Sequence, residues 1–232
     1  MSYSLEQFCQ DCREALTSKP GREGRDAVRG KLEFLLVDDA FKTAYLGDDQ
    51  EPGVKTLYED PDMEFCVLAY LAGGDRTSPP HDHGNSWAIY GQAEKHTDMK
   101  MYNRLDGSDG AGEANLEMTG EFRLNPGMAG LFDVGDIHAI DHPEGAKFVR
   151  VTATDLNHVK RLRYAEFSGR AEIIEDQVFT IRNISVDVKS ASSSKAREIA
   201  LQEAQIKGFS VLMQKMLLKG EYEKISYIKK NK

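Results

Sequence analysis

The pattern of apolar and polar positions changes character twice along the chain. From Ser4 to about Leu46, apolar residues recur at steps of three and four: Leu5, Phe8, Cys9, Cys12 and Leu16, then Leu32, Leu35, Leu36, Phe41 and Tyr45. That period lays them on one stripe of a helix. Pro20, Gly21 and Gly24 interrupt it, so the pattern predicts one helix ending near Leu16 and a second running from Val28 to Tyr45. From Val54 the period shortens. Residues 54–58, 65–71, 87–92, 99–104, 121–124, 130–132 and 147–154 are short runs rich in β-branched, aromatic and aliphatic side chains, separated by Gly, Pro and Asp. Residues 65–71 are almost all apolar, as in a strand buried on both faces. Strands at this spacing predict a mainly β sandwich or barrel, with the N-terminal helices packed outside it. Residues 105–119 are rich in Gly and Asp and read as a mobile hairpin tip. Beyond Asp155 the texture is mixed. Residues 177–188 are strand-like in two pieces, residues 190–194 form a Ser/Ala linker, and residues 194 to about 218 carry Ile199, Ile206, Phe209, Met213, Met216 and Leu217 at helical spacing. The expected organisation is a helical segment over residues 1–50, a barrel over 51–166, and a strand-plus-helix extension over 167–232. The apolar stripe of the C-terminal helix suits packing or a homo-oligomer contact.

Composition narrows the partners. The 232 residues carry a net charge of −8, and no run approaches the roughly 18 apolar residues of a membrane span. The acidic balance argues against nucleic acid, which needs clustered Lys and Arg. Residues 1–10 lack the basic and apolar regions of a secretory signal. Three cysteines, Cys9, Cys12 and Cys66, make no disulfide framework and fit a reducing cytoplasm. Cys9 and Cys12 have zinc-ligand spacing but no second pair follows them closely, so they read as small apolar residues of a helix.

The candidate chemistry lies between the two helical regions. In Pro79-Pro80-His81-Asp82-His83-Gly84, His81 and His83 are two residues apart, and on a strand such residues point to one face. Two imidazoles side by side are two donors aimed at one metal ion, though two ligands do not make a site. The full spacing is Asp75-x5-His81-x-His83-x3-Trp87-x6-Glu94, followed later by Gly127-x5-Asp133-x-Gly135-x2-His138-x3-His142. Here the chain resembles the cupin superfamily, whose two motifs are Gly-x5-His-x-His-x3,4-Glu-x6-Gly and Gly-x5-Pro-x-Gly-x2-His-x3-Asn. His81, His83, Gly127, Gly135 and His138 match in place. The resemblance covers residues from about 54 to 155 and implies a double-stranded β-helix, a small jelly-roll-like barrel, holding one metal on His81, His83 and His138.

The departures from those motifs carry information. The motif Glu is absent, with Trp87 or Ala88 in its place; the motif Pro is Asp133 and the closing Asn is His142. Three histidines without the Glu make the chain similar to the cysteine dioxygenase-like thiol dioxygenases. The string His-Asp-His-Gly with a Trp four residues after the second His is like the bacterial members that act on 3-mercaptopropionate. That resemblance implies Fe(II) as cofactor, O2 and a small thiol carboxylate as reactants, and a sulfinate as product. A neutral three-His site suits Fe(II), although zinc, nickel or manganese also accept imidazole. With no carboxylate ligand, an incoming thiolate supplies the balancing charge. Two features of the family are missing. Ala88 stands where the animal enzymes carry a crosslinked Cys, and residues 147–154 contain no His or Tyr where the family has a Ser-His-Tyr relay.

Candidate catalytic residues follow from chemistry and alternation. Arg150, Thr152 and Thr154 share one face of their strand. If that face is interior, Arg150 can clamp a substrate carboxylate with its planar fork; if it is exterior, Arg150 is a surface ion-pair residue. Tyr90 and Tyr70 can line the pocket or sit in the core. His142 is a base near the metal or a polar loop residue. Trp87 is a pocket wall or core filler, and Arg76 can reach the pocket mouth. Asp82, between two ligands, points away from the metal and bonds its own loop, while His96 and His158 belong to the surface. Two other function classes fit the same residues: a metal-dependent isomerase, lyase or non-thiol oxygenase on a small carboxylate, and a non-catalytic small-ligand-binding barrel.

Overall fold

The computed structural model describes residues 2–165, 169–174, 185–189 and 192–216. They fall into two compact units, Met1–Asp176 and Gln177–Lys232.

The first unit begins with three helices: α1 (Leu5–Ser18), α2 (Arg22–Leu36) and α3 (Asp39–Leu46). Ser4 caps α1 by accepting a hydrogen bond from the Gln7 N–H. The single helix expected over Val28 to Tyr45 is two. Asp38 breaks it by accepting from the Phe41 N–H, which makes it the N-cap of α3. The apolar stripes of α1 and α2 meet in one core containing Phe8, Cys9, Cys12, Val28, Leu32, Leu35 and Leu36. Cys9 and Cys12 are buried free thiols, and burial pushes Cys9 up to about 12, so the apolar reading of the pair holds.

Ten strands of this unit precede the 3-10 turn Leu156–His158: β1 (Gly53–Glu59), β2 (Cys66–Leu71), β3 (Arg76–Thr77), β4 (Ala88–Glu94), β5 (Thr97–Arg104), β6 (Gly112–Glu113), β7 (Leu116–Leu124), β8 (Ala129–Phe132), β9 (Ile137–His142) and β10 (Lys147–Thr152). Then come β11 (Arg161–Ala165) and β12 (Arg170–Ile174). One antiparallel sheet has the order β1-β2-β10-β4-β8, a second β3-β9-β5-β7, and a third β11-β12-β6. The second and third are joined through His81, which bridges His138 of β9 on one side and Arg163 of β11 on the other. Fold and strand order are those of a mainly β, double-stranded β-helix with helices at its N-terminus. β11 and β12 pair with each other antiparallel, one on each side of the boundary expected between residues 166 and 167.

Alternation along two neighbouring strands decides what faces where. On β10, Val149 and Val151 join the core under the helices, while Phe148 faces the barrel interior. On β4 and just before it, Trp87, Ile89 and Ala93 face the helices, whereas Ala88 and Tyr90 face inward. α2 lies so close to β4 that a Cβ on Gly91 would stand 2.6 Å from both Leu32 and Leu36. Strand β2 is not buried on both faces as its apolar run suggests: Leu68 and Tyr70 are only partly buried and line a cavity. The stretch over residues 105–119 holds the tip of the β5–β7 hairpin, as expected, but it is not all loop: β6 and the first four residues of β7 lie within it, and Arg104 ties it down with bonds to Asp106 and to the carbonyls of Gly110 and Glu113.

Of the second unit, residues 185–189 and α4 (Ser193–Met216) are described. Lys207 Nζ donates to the Ser185 carbonyl at 2.7 Å. Residues 175–184 and 217–232 lie outside the described residues, so most of the strand-like stretch at 177–188 does too. No helix among the described residues is long and apolar enough to cross a membrane.

Candidate metal centre

The segment 80–84 sits between two strands because each of its edges is taken. The His81 N–H donates to the His138 carbonyl at 2.8 Å, and the His138 N–H returns a bond to the His81 carbonyl at 3.0 Å. On the other edge, the Asp82 N–H donates to the Leu162 carbonyl and the Tyr164 N–H to the Pro80 carbonyl. The Asp82 carboxylate points away from the histidines, as expected. Its Oδ1 accepts from the N–H groups of Gly84 and Leu162, each at 2.9 Å, and its Oδ2 accepts from the Tyr164 hydroxyl at 3.2 Å. Gly84 then turns the chain at φ +60°, where a Cβ would fall on the Lys160 carbonyl oxygen. This turn carries His83 into the barrel beside His138.

His81, His83 and His138 form the one cluster of three metal-ligating side chains among the described residues, with donor atoms all within 4.8 Å of one another. Nε2 of His83 and Nε2 of His138 are 3.3 Å apart. Two imidazole nitrogens on one ion at about 2.0–2.1 Å each would stand about 3.0–3.4 Å apart, so this spacing fits a shared divalent metal. His81 has its tautomer set by structure. Its Nδ1 lies 3.0 Å from the Pro79 carbonyl, which can only accept, so Nδ1 carries the proton and Nε2 keeps a lone pair. Burial first, and then the charges of neighbouring His and Arg side chains, hold His83 and His138 well below the usual histidine range. His81 is lowered mainly by burial. All three are thus in the neutral form that binds metal. The wall behind them is apolar: the ring centroids of Phe132 and His138 are 4.1 Å apart, and Ala88, Met99 and Leu124 belong to the same cluster as Phe132.

A cavity completes the site. With a volume of about 580 Å3, it reaches the cluster through His81 and Tyr90 and is also lined by Tyr70, Arg76, His142 and Arg150. Tyr90 Oη lies 3.2 Å from His83 Nε2. Arg150 is paired in register with Tyr90 on one side and Leu68 on the other. Its guanidinium carbon lies 4.8 Å from the Tyr70 ring centroid and 6.0 Å from that of Tyr90. Tyr70 in turn stacks on Phe148, centroids 4.6 Å apart and planes within 11°. Buried Arg150 Nε has no hydrogen-bond partner among the described residues. His142 is buried at the end of β9, in register with Arg76 of β3.

The structure thus brings His81, His83, His138, Tyr90, Arg150 and His142 to one cavity and its inner wall. It does not bring Trp87 there: that side chain packs under the helices. The inward-facing residue where the cupin motif carries Glu is Ala88. His158 is exposed, with its Nε2 3.4 Å from the Asp155 carboxylate, and His96 is partly exposed. The sequence reading overlooked Asp155, Arg161 and Arg163, which also line the cavity. The period-2 pattern of Leu162 and Tyr164 signals the strand of Arg161 and Arg163, whereas Asp155 caps the 3-10 turn before it.

No family model and no curated protein matches the chain. Solved structures similar to it include cupin and double-stranded β-helix domain proteins. One is the cupin domain of Schizosaccharomyces pombe Cnp3, with 10% identity and TM-score 0.33; the match covers 44% of this chain and 64% of that domain, just under two thirds of it. Another is a protein with a double-stranded β-helix domain from Klebsiella pneumoniae, with 17% identity, TM-score 0.33 and coverage of 50% and 81%. A third is a cupin-2 domain protein from Shewanella frigidimarina, with 13% identity, TM-score 0.34 and coverage of 50% and 93%.

Proposed function

We propose that the three-His centre holds Fe(II) and that the chain is a dioxygenase of a small thiol carboxylate. The observation that carries the reading is Ala88: where a carboxylate ligand would face the cluster there is a methyl group, so three neutral imidazoles stand beside the positive Arg150. Such a centre is short of negative charge. A substrate with a thiolate for the metal and a carboxylate for Arg150 supplies it at both points. Bound there, Fe(II) would supply the redox chemistry with O2 and lower the pKa of a thiol that reaches it.

The residues of the chain do the rest. Arg150 fixes the carboxylate through its fork, and its own orientation is held by Tyr70. The hydroxyl of Tyr90, against His83, can hold a proton at the inner end of the cavity. Phe132, Met99 and Leu124 exclude water from the far side of the imidazoles. The overall step is balanced without a further reductant. Both oxygen atoms of O2 enter the thiol sulfur, which is oxidised to the sulfinate as O2 is reduced.

Oxygen uptake by iron-loaded protein with 3-mercaptopropionate or cysteine tests this. One O2 consumed per sulfinate formed supports it. Tight zinc or nickel binding with no thiol-dependent O2 uptake by the iron form would overturn it in favour of a metal-dependent isomerase or lyase, or of a ligand-binding module.

A further inference from the structure

The cavity beside the histidines does not stand alone. A second one of about 460 Å3 shares Val54, Tyr70, Arg76, His142 and Phe148 with it and extends toward the turn that contains Gly73 and Gly74. The first, at about 580 Å3, already falls within the roughly 300–1,000 Å3 typical of pockets that enclose drug-sized ligands. A three-carbon thiol acid would leave much of it empty. At the junction of the two cavities stands Arg76. It is in register with His142 across β3 and β9, so the two side chains lie on the same face of the sheet as close neighbours. Among the described residues the exposed Arg76 side chain has neither an ion-pair nor a hydrogen-bond partner, and nearby Asp75 is engaged by the Glu144 N–H at 2.6 Å. Arg150 lies deeper in the same cavity, with its Nε unpartnered. Two cations with unused donors therefore sit at different depths of one continuous space, in a protein whose net charge is −8. Electrostatic focusing in such a cleft selects anions.

We propose that Arg76 is a second anion-binding residue of this site, and that the substrate is an elongated dianion with one acidic group on Arg150 and the other on Arg76 beside His142. This rests on the reading of the cavity as the substrate site and extends it: the thiol acid carries a second, remote carboxylate.

Calorimetric titration of zinc-loaded full-length protein with propionate and with glutarate tests the proposal without any turnover. Glutarate should bind about tenfold more tightly, as one added charge-assisted contact provides. Arg76→Gln should abolish that preference while leaving metal content and propionate affinity unchanged. Arg76→Lys should restore part of it, and Arg150→Gln should weaken both ligands. Equal affinities in the wild type, or a preference that survives in Arg76→Gln, would overturn the proposal. Thiol-dependent O2 uptake without a dianion preference removes this inference alone. A dianion preference carried by Arg76 without thiol oxidation removes the proposed oxidation and leaves the dianion site standing.

Discussion

Asp82 ligates nothing in the proposed centre, yet its replacement by Ala should damage the metal site more than most changes in the cavity wall. The buried carboxylate accepts three hydrogen bonds, from the Leu162 and Gly84 N–H groups and the Tyr164 hydroxyl. Burial, and then the Asp82 carboxylate, push the Tyr164 hydroxyl up to about 12, so it is a firm donor at neutral pH. Removing the acceptor leaves up to three donors unsatisfied, and each such buried group costs about 1–3 kcal/mol. The main-chain bonds from Asp82 to Leu162 and from Tyr164 to Pro80 remain and keep the segment docked. A net loss of about 3–5 kcal/mol is then expected. For a unit of this size that lowers Tm by roughly 6–20 °C. Asp82→Asn keeps an oxygen for both N–H groups and should cost only about 1 kcal/mol. Trp87, the one tryptophan and a buried core residue, reports unfolding by fluorescence in urea. Because Asp82 sets the angle between His81 and His83, metal affinity in Asp82→Ala should fall about 10–100-fold, as for other groups that orient metal ligands. A variant within about 0.5 kcal/mol of wild type that binds zinc within twofold would refute this account of how the two ligands are aimed.

Gly84→Ala should cost at least about 2 kcal/mol by denaturant titration, since the left-handed turn is strained for Ala and its methyl meets the Lys160 carbonyl. His138→Ala should leave the fold measurable and abolish stoichiometric metal binding in equilibrium dialysis; full retention would refute the ligand set. Asp60 gives a pH test. Burial raises its pKa, but N–H bonds from Met63 and Asp62, the Tyr58 hydroxyl and Arg13 outweigh this and hold it below the ordinary value. The charged form is therefore favoured in the fold, so its stabilisation is present above the unfolded pKa of about 3.9 and is lost as pH falls through the folded value. Asp60→Asn should be destabilised in urea at pH 7 and approach wild type near pH 2.

Much of the fold and the metal ligands could be read from sequence, because spacing and burial carry them. Gly127, Gly135 and His138 hold their places in a turn and a strand whatever fills the gaps between them. What the sequence hid depended on parity and on distant partners. Arg150 sits among Phe148, Val149 and Val151, and nothing local says whether odd or even residues face inward. Asp82 looks like a loop residue until Leu162 and Tyr164, 80 or more positions away, arrive to bond it. The break before α3 was legible, since Asp38 is an N-cap residue type three positions before Phe41; the strong apolar period on both sides masked it. Arg76 was visible only as a residue near the pocket mouth, because its pairing with His142 depends on a two-residue strand.

The N-terminal helices take part in defining the site they never touch. Leu32 and Leu36 press against β4 at Gly91, leaving no room for a side chain there, and they cover Ile89, Val149 and Val151. A slip of one residue in β10 would exchange its faces, putting Arg150 under α2 and a valine in the cavity. An unpaired arginine in that apolar layer would cost several kcal/mol, whereas in the cavity its charge lies over Tyr70 and opens to an anionic ligand. The packing of α2 on β4 and β8 therefore penalises the one-residue slip that would take Arg150 out of the cavity. Alternation on β4 acts in the same way, sending Trp87 to the helices and the small Ala88 to the metal side. The open, carboxylate-free face of the three-His cluster is in this sense a product of the helix–sheet interface: the large side chain is drawn out of the barrel, and the methyl left behind leaves the imidazoles exposed to whatever enters past Arg76 and Arg150.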